Sequence, residues 1–252
     1  MSGTMTTASA SEKTWLVVGA SRGIGHELVR QLLNNGNRVL ATVRGSESVH
    51  ELWGNDQATE ANCQLLQCDM LDGKSINQFI TDLQHTGTKR IDYVVLNAGV
   101  LKYPNRATEI SYEDLVFHLN TNTVGPIITA RKLLQSGVSI GTIAFMSSDS
   151  GSSTEFRDFE DGFAAYGASK AALNHMLRHM AAELKRKGAE TVILALHPGE
   201  VATDMANIDL GWEVEGQMTA EQSVSALLEV IPSKTPDQSG TFWTWENKPY
   251  PW

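Results

Sequence analysis

The chain has 252 residues, 41% hydrophobic and 19% charged, with a formal net charge of −9 at pH 7; this suits one large buried core and argues against nucleic acid or an anionic membrane as partner, since both select clustered Lys and Arg. No apolar run approaches the roughly 20 residues that span a bilayer, and the N-terminus lacks the basic-then-apolar order of a signal peptide, which leaves small molecules or proteins as partners and the cytoplasm as the expected location. Cys63 and Cys68 have no CxxC spacing and no histidine at ligand distance, so they read as reduced thiols, and no metal site is expected.

In chain order, the Ser/Thr/Ala-rich residues 1–13 are expected to form a disordered leader and residues 14–252 a single domain. Short apolar runs rich in β-branched residues predict strands at "TWLVVGA", "RVLATVR", "CQLLQCD", "IDYVVLNAG", "GTIAFMSS" and "TVILALHPG", with a weaker one at "GTFWTWE". Between them, apolar residues spaced by three and four, such as Ile24, Leu28, Leu32 and Leu33, or Leu173, Met176, Leu177 and Met180, predict helices. The alternation predicts an α/β fold: one doubly wound parallel sheet of about seven strands with helices on both faces. Two long irregular stretches, "SDSGSSTEFRDFEDGF" and "DMANIDLGWEVEGQ", follow strand C-termini, the end of such a sheet where ligands bind.

The first predicted strand ends in "GASRGIG", Gly19 to Gly25. Gly19 suits a tight turn, Gly23 lets the backbone approach a pyrophosphate, and Gly25 lets the following helix lie against the strand. Ser21, Arg22 and Ile24 complete a loop leading to free helix N–H groups. A glycine loop used only for packing has the same composition, so the turn alone leaves both readings open. Further on, "AYGASKAALNHML" places Tyr166 and Lys170 on one helical face. An ammonium beside a phenol favours phenolate and is expected to lower the Tyr166 pKa toward the working pH, making it a general acid in carbonyl reduction and a base in reverse. An isolated YxxxK serves an amphipathic packing helix equally well.

Taken in order, the motifs resemble the short-chain dehydrogenases/reductases, whose usual turn is TGxxxGxG, with Val18 here in place of the threonine. The other matches are "CDM" at Cys68, "NAG" at Asn97, "NTVG" at Asn122, "SS" at Ser147, "YGASK" at Tyr166 and "HPGEVATD" at His197, covering nearly the whole chain from Thr14 onward. The terminal "TFWTWENKPYPW" is similar to the closing strand and tail of the small C-factor-like and sniffer-like carbonyl reductases.

The resemblance implies an NAD(P)-binding Rossmann domain with its own catalytic site: Asn122, Ser148, Tyr166 and Lys170. Ser147 and Asn120 are the rivals of Ser148 and Asn122. Lys170 is implied to bond the nicotinamide ribose as well, and the long interval from Ser148 to Tyr166 implies an insertion at the substrate mouth. Asp69 and Met70 are implied at the adenine, Asn97, Ala98 and Gly99 at its ribose, and Pro198, Gly199, Val201 and Thr203 at the nicotinamide. Arg44 stands where an acidic residue would select NAD, and Arg22 lies inside the turn; together they imply NADP(H).

Residues 149–165 and 204–219 are expected to line the substrate pocket, with Phe156, Phe163, Met205, Trp212 and Met218 making it apolar and the many acids of those segments at its rim. His175, His179 and Glu183 span about 12 Å of helix, too far to share one metal, and read as surface or interface residues. His197 reads as structural, and Trp243, Trp245, Tyr250 and Trp252 as sealing the core or a subunit contact. The helices after "NTVG" and "YGASK" resemble those that pair in family dimers, so a homodimer or homotetramer is expected. The activity expected is NADPH-dependent reduction of an aldehyde or ketone, or oxidation of the alcohol. The alternative is a nucleotide-binding signalling protein of the same fold without turnover, which four intact site residues disfavour.

Overall fold

The apolar runs form seven strands of one parallel sheet. The computed structural model describes residues 12–47, 49–54, 57–208 and 216–252. In chain order the elements are β1 (Thr14–Val18), α1 (Gly23–Asn34), β2 (Arg38–Val43), α2 (Val49–Trp53), α3 (Gln57–Asn62), β3 (Cys63–Gln67), α4 (Gly73–His85), β4 (Arg90–Leu96), α5 (Tyr112–Leu119), a π-helical turn (Asn120–Val124), α6 (Gly125–Leu134), β5 (Ser139–Met146), α7 (Ala164–Arg186), β6 (Val192–His197), α8 (Ala220–Val230) and β7 (Thr241–Thr244). The strand order is β3-β2-β1-β4-β5-β6-β7, and every neighbouring pair is parallel. The winding reverses between β1 and β4, which opens a crevice at the C-terminal ends of these strands.

Strand periodicity divides the core. On β1, Leu16 and Val18 face one apolar layer with Phe79 and Leu83 of α4, Leu133 of α6, and Leu173 and Leu177 of α7. Trp15 and Val17 face the other, with Leu28 and Leu32 of α1 and Val224 and Leu227 of α8. Tyr250 and Trp252 pack against the first layer and Trp243 and Trp245 against the second. On α7 the apolar spacing misleads in one place: Met176 is exposed, and the buried face also carries the polar Ser169, Lys170 and Asn174.

Two expectations change. Strand β5 starts at Ser139 rather than Gly141, because Ser139 and Ile140 pair with Arg90 and Ile91. Gly141 is therefore interior, where a Cβ would come within 2.5 Å of the Asp92 carbonyl oxygen. Lys13 does not belong to a disordered leader: its N–H donates to Asn37 Oδ1 at 3.3 Å, and its carbonyl accepts from the Arg38 N–H at 3.0 Å. Residues 1–11 of the expected leader lie outside the described residues. Both cysteines are free and buried, and burial pushes each thiol up to about 12. Among the described residues no helix is long and apolar enough to cross a membrane.

Candidate active site

The glycine turn joins β1 to α1 at the crevice. Gly19 has φ +87°, and a Cβ there would fall 2.5 Å from Ala98 Cβ; at Gly25 a Cβ would lie 2.0 Å from the Gly19 carbonyl oxygen. That carbonyl also accepts from Asn97 Nδ2 at 2.9 Å, so Asn97 fixes the turn from β4. At Gly23, with φ +55°, a Cβ would meet only Thr203, its Cγ2 at an ordinary 3.5 Å, so the positive φ rather than crowding calls for glycine. Arg22 precedes the helix without a side-chain capping bond, and the first turn holds no acidic residue. Uncapped N–H groups, a positive helix end and a glycine with no Cβ form a cradle that fits a dinucleotide pyrophosphate.

A cleft of about 750 Å³ runs from this cradle to the N-terminus of α7. Every residue expected at the cofactor lines it except Gly25, which is spent on packing helix against turn. Arg22 and Arg44 stand at its outer end, both exposed. Arg22 lies 3.9 Å from Asp204, a long surface pair that contributes little. Asp69 is engaged within its own loop, its Oδ1 accepting from the Leu71 N–H at 2.9 Å.

Ser148, Tyr166 and Lys170 line the inner end. The Tyr166 and Ser148 side chains are hydrogen-bonded, and Lys170 Nζ lies 5.5 Å from the Tyr166 ring centroid. The expected depression of the phenol pKa is reversed. Burial pushes Tyr166 up to about 12, against the opposing bond from Ser148, while burial lowers Lys170 to about 8. The lysine turns its ammonium to the Met146 carbonyl, donating at 2.8 Å. Desolvation of both groups outweighs any attraction between them, and the phenol keeps its proton.

The two serines are both buried and both line the cleft but differ in their bonds, and the two asparagines differ in burial. Ser147 Oγ donates to Asn174 Oδ1 at 2.6 Å and is committed to α7. Ser148 Oγ donates to Asp149 Oδ1 at 3.0 Å and remains on the cleft. Asn120 is exposed, whereas Asn122 is fully buried in the π-helical turn behind the cleft wall. There Asn122 Oδ1 accepts from the Val100 N–H at 2.8 Å, and its Nδ2 donates to the Val100 carbonyl at 2.9 Å and to Ser169 Oγ at 3.0 Å. A Cβ on Gly99 would lie 3.2 Å from Asn122 Oδ1 and 3.6 Å from Lys170 Nζ, so the two polar groups converge beside this glycine.

Residues 13–212 match the short chain dehydrogenase family. The chain belongs to that family. It is 31% identical to an uncharacterised oxidoreductase of Saccharomyces cerevisiae over 94% of this chain and 97% of that protein. Among solved structures it resembles the NADPH-bound carbonyl reductase from chicken fatty liver, with a TM-score of 0.81 at 25% identity over 96% of this chain and all of the other. The carbonyl reductase Sniffer of D. melanogaster gives 0.78 at 25% identity over the same shares. The protein is an NAD(P)-dependent oxidoreductase of the short-chain dehydrogenase type.

In this short-chain dehydrogenase the mouth differs from the apolar pocket expected. Phe163 and Met205 line it, but Phe156 points to solvent at 77% exposure, Met218 packs behind Gly199, and Trp212 lies outside the described residues. A polar cluster occupies the space. Arg157 pairs with Asp149 and, at 2.7 Å, with Glu160, while the Asp149 N–H donates to His197 Nδ1 at 3.2 Å. Burial and the nearby guanidinium hold His197 down at about 4, so it is neutral. The sequence reads His197 as structural and places the acids of residues 149–165 at the rim of the pocket, but it does not single out Arg157 or Glu200. Charged residues on irregular loops carry no period, and only their shared position after strand C-termini pointed to the site. On α7, His175 and His179 face each other at 3.2 Å, but Glu183 is bonded to Lys187 and the three do not converge.

Proposed function

We propose that the protein reduces aldehydes or ketones with NADPH, within one domain spanning residues 14–252. The observation that carries this reading is a neutral, half-buried Tyr166 phenol hydrogen-bonded to Ser148 in the wall of the dinucleotide cleft. When bound, NADPH supplies the hydride. Tyr166 delivers the proton to the carbonyl oxygen, and its raised pKa suits an acid in reduction better than a base in oxidation at neutral pH. Ser148 turns its O–H from Asp149 toward the developing alkoxide and stabilises it. Lys170 and Asn122, converging beside Gly99, carry the replacement proton inward through water. Lys170 also reaches the nicotinamide ribose.

Arg22 and Arg44 support NADPH over NADH, since two guanidiniums at one end of the cleft suit a 2′-phosphate. A cytoplasmic homodimer or homotetramer completes the proposal; Val124 and Met176, on the segments expected to pair, remain exposed at 50% and 44%.

The test is Tyr166→Phe, followed by NADPH consumption with a panel of carbonyl compounds. Turnover should fall by roughly 10²–10⁴-fold while NADPH affinity holds. Near-wild-type turnover in this variant would remove the phenol from the chemistry and favour a role in nucleotide-dependent signalling.

A further inference from the structure

The substrate end of the cleft holds three carboxylates, Asp149, Glu160 and Glu200, around one guanidinium. Two of the three are satisfied. Asp149 accepts from Arg157, from Ser148 Oγ at 3.0 Å and from the Ser150 N–H at 2.8 Å, and Glu160 accepts from Arg157 and, at 3.4 Å, from Ser150 Oγ. Arg157 is therefore bonded to both, and its charge also reaches Glu200, opposing the desolvation that raises the Glu200 pKa. Glu200 is not satisfied: among the described residues no side chain or backbone group donates to its carboxylate, although its own carbonyl accepts from the Met218 N–H at 2.8 Å and fixes the backbone.

Position makes this carboxylate informative. Glu200 follows the Pro198–Gly199 turn and lines the cleft, close enough to Tyr166 for its charge to act on the phenol. Oxygen atoms of Glu200 and Asp149 and a ring nitrogen of His197 lie within 4.8 Å of one another. Around the neutral His197 the carboxylates Asp149, Glu160 and Glu200 outnumber the cations Arg157 and Lys170, so the local charge at this end of the cleft is negative. The Glu200 side chain is exposed on the cleft wall, and an unpaired carboxylate there attracts a cation delivered with the substrate in a medium less screening than bulk water. Arg157 already supplies the cation among Asp149 and Glu160, which argues against a metal ion as the missing partner.

We infer that Glu200 determines specificity, selecting carbonyl compounds that carry a protonated amine and rejecting those that carry a carboxylate. The inference rests on the carbonyl-reductase reading and names the substrate class for it. The amine sits on the far side of the carbonyl from the nucleotide, against Glu200, and the carbonyl oxygen points to Tyr166 and Ser148.

The test compares three aldehydes of matched shape at neutral pH: para-[(dimethylamino)methyl]benzaldehyde, a tertiary ammonium that cannot condense with its own aldehyde; para-isobutylbenzaldehyde, its neutral counterpart; and para-formylphenylacetic acid. In the wild type, kcat/KM should favour the ammonium over the isobutyl compound by about tenfold and over the acid by about 100-fold, and Glu200→Gln should bring the first two within about twofold. The ratio isolates recognition, because any change in Tyr166 acidity acts on all three substrates alike. A wild-type ratio near one, or a ratio unmoved by Glu200→Gln, overturns the inference while leaving carbonyl reduction intact. Should none of the three be reduced, carbonyl reduction itself is in question, and calorimetry with benzyldimethylamine hydrochloride and the NADPH-saturated protein decides the recognition. Binding that disappears in Glu200→Gln sustains the role of Glu200; absence of binding to the wild type ends it.

Discussion

At the nucleotide end of the cleft the wall is backbone: Gly19, Gly23 and Gly25 shape it, and the side chain that locks it, Asn97, bonds a carbonyl. At the substrate end the wall is side chain, with Asp149, Arg157 and Glu160 from one loop meeting His197 and Glu200 from the end of β6. The first wall tolerates little substitution, because a Cβ at Gly19 or Gly25 has nowhere to go and Gly23 holds a positive φ. The second is held by exchangeable polar pairs on loops, where specificity can change without disturbing the sheet.

The sharpest break of this contrast is Gly25→Ala. A methyl 2.0 Å from the Gly19 carbonyl oxygen and 2.6 Å from Asn97 Nδ2 forces the turn apart. Stability should fall by about 3 kcal/mol, the upper range for overpacking, and NADPH affinity should fall with it. Chemical denaturation and nucleotide titration check both.

At the substrate end the largest effect expected depends on pH. His197 is neutral when folded, its pKa held down at about 4 from the ordinary 6.5 by burial and the nearby Arg157. The unfolded chain therefore binds more protons between these limits, and stability is lost as pH falls from 6.5 to 4. His197→Asn keeps an acceptor for the Asp149 N–H and removes the titration. Its acid limb should be flatter than that of the wild type by up to about 3 kcal/mol in urea denaturation measured across that window; identical limbs would show that His197 does not carry the effect.

Ser147→Ala and Ser148→Ala separate adjacent hydroxyls. Losing the Ser147 bond leaves buried Asn174 Oδ1 without its donor, at a cost of about 2 kcal/mol in stability and little in kcat, whereas Ser148→Ala should lower kcat and leave the melting temperature nearly unchanged. The smallest effect belongs to the exposed rim: Arg44→Asp should shift the NADPH:NADH ratio of kcat/KM toward NADH by at least about tenfold, or 1.4 kcal/mol. An unchanged ratio would make Arg44 a solvated surface group.

These contrasts explain what was legible in the sequence. Glycines that no other residue can replace announced the nucleotide end, and apolar runs announced β1 to β7, since burial on both faces leaves no room for polar residues. Tyr166 and Lys170 were visible because four residues is one helical turn. The direction of the phenol shift was not, because it depends on burial supplied by β5, the β5–α7 loop and the Pro198–Gly199 turn rather than on the neighbour four residues away. Nor was the arrangement of the polar mouth: Asp149 and Glu200 meet across two strand ends about fifty positions apart, and nothing in either local sequence marks the other.

The reversal of winding between β1 and β4 also bears on synthesis. Val18 finds its β4 partner only at Leu96, so one edge of β1 stays open while the intervening chain is translated, roughly 4–16 s at ordinary rates. An unpaired edge of Trp, Leu and Val is a template for association between nascent chains. Truncated products ending before β4 would expose it permanently. Slow translation through residues 63–96 is therefore the interval in which this sheet most needs a chaperone, and expression at low temperature with one co-produced should raise the soluble fraction more than any stabilising change at the cleft.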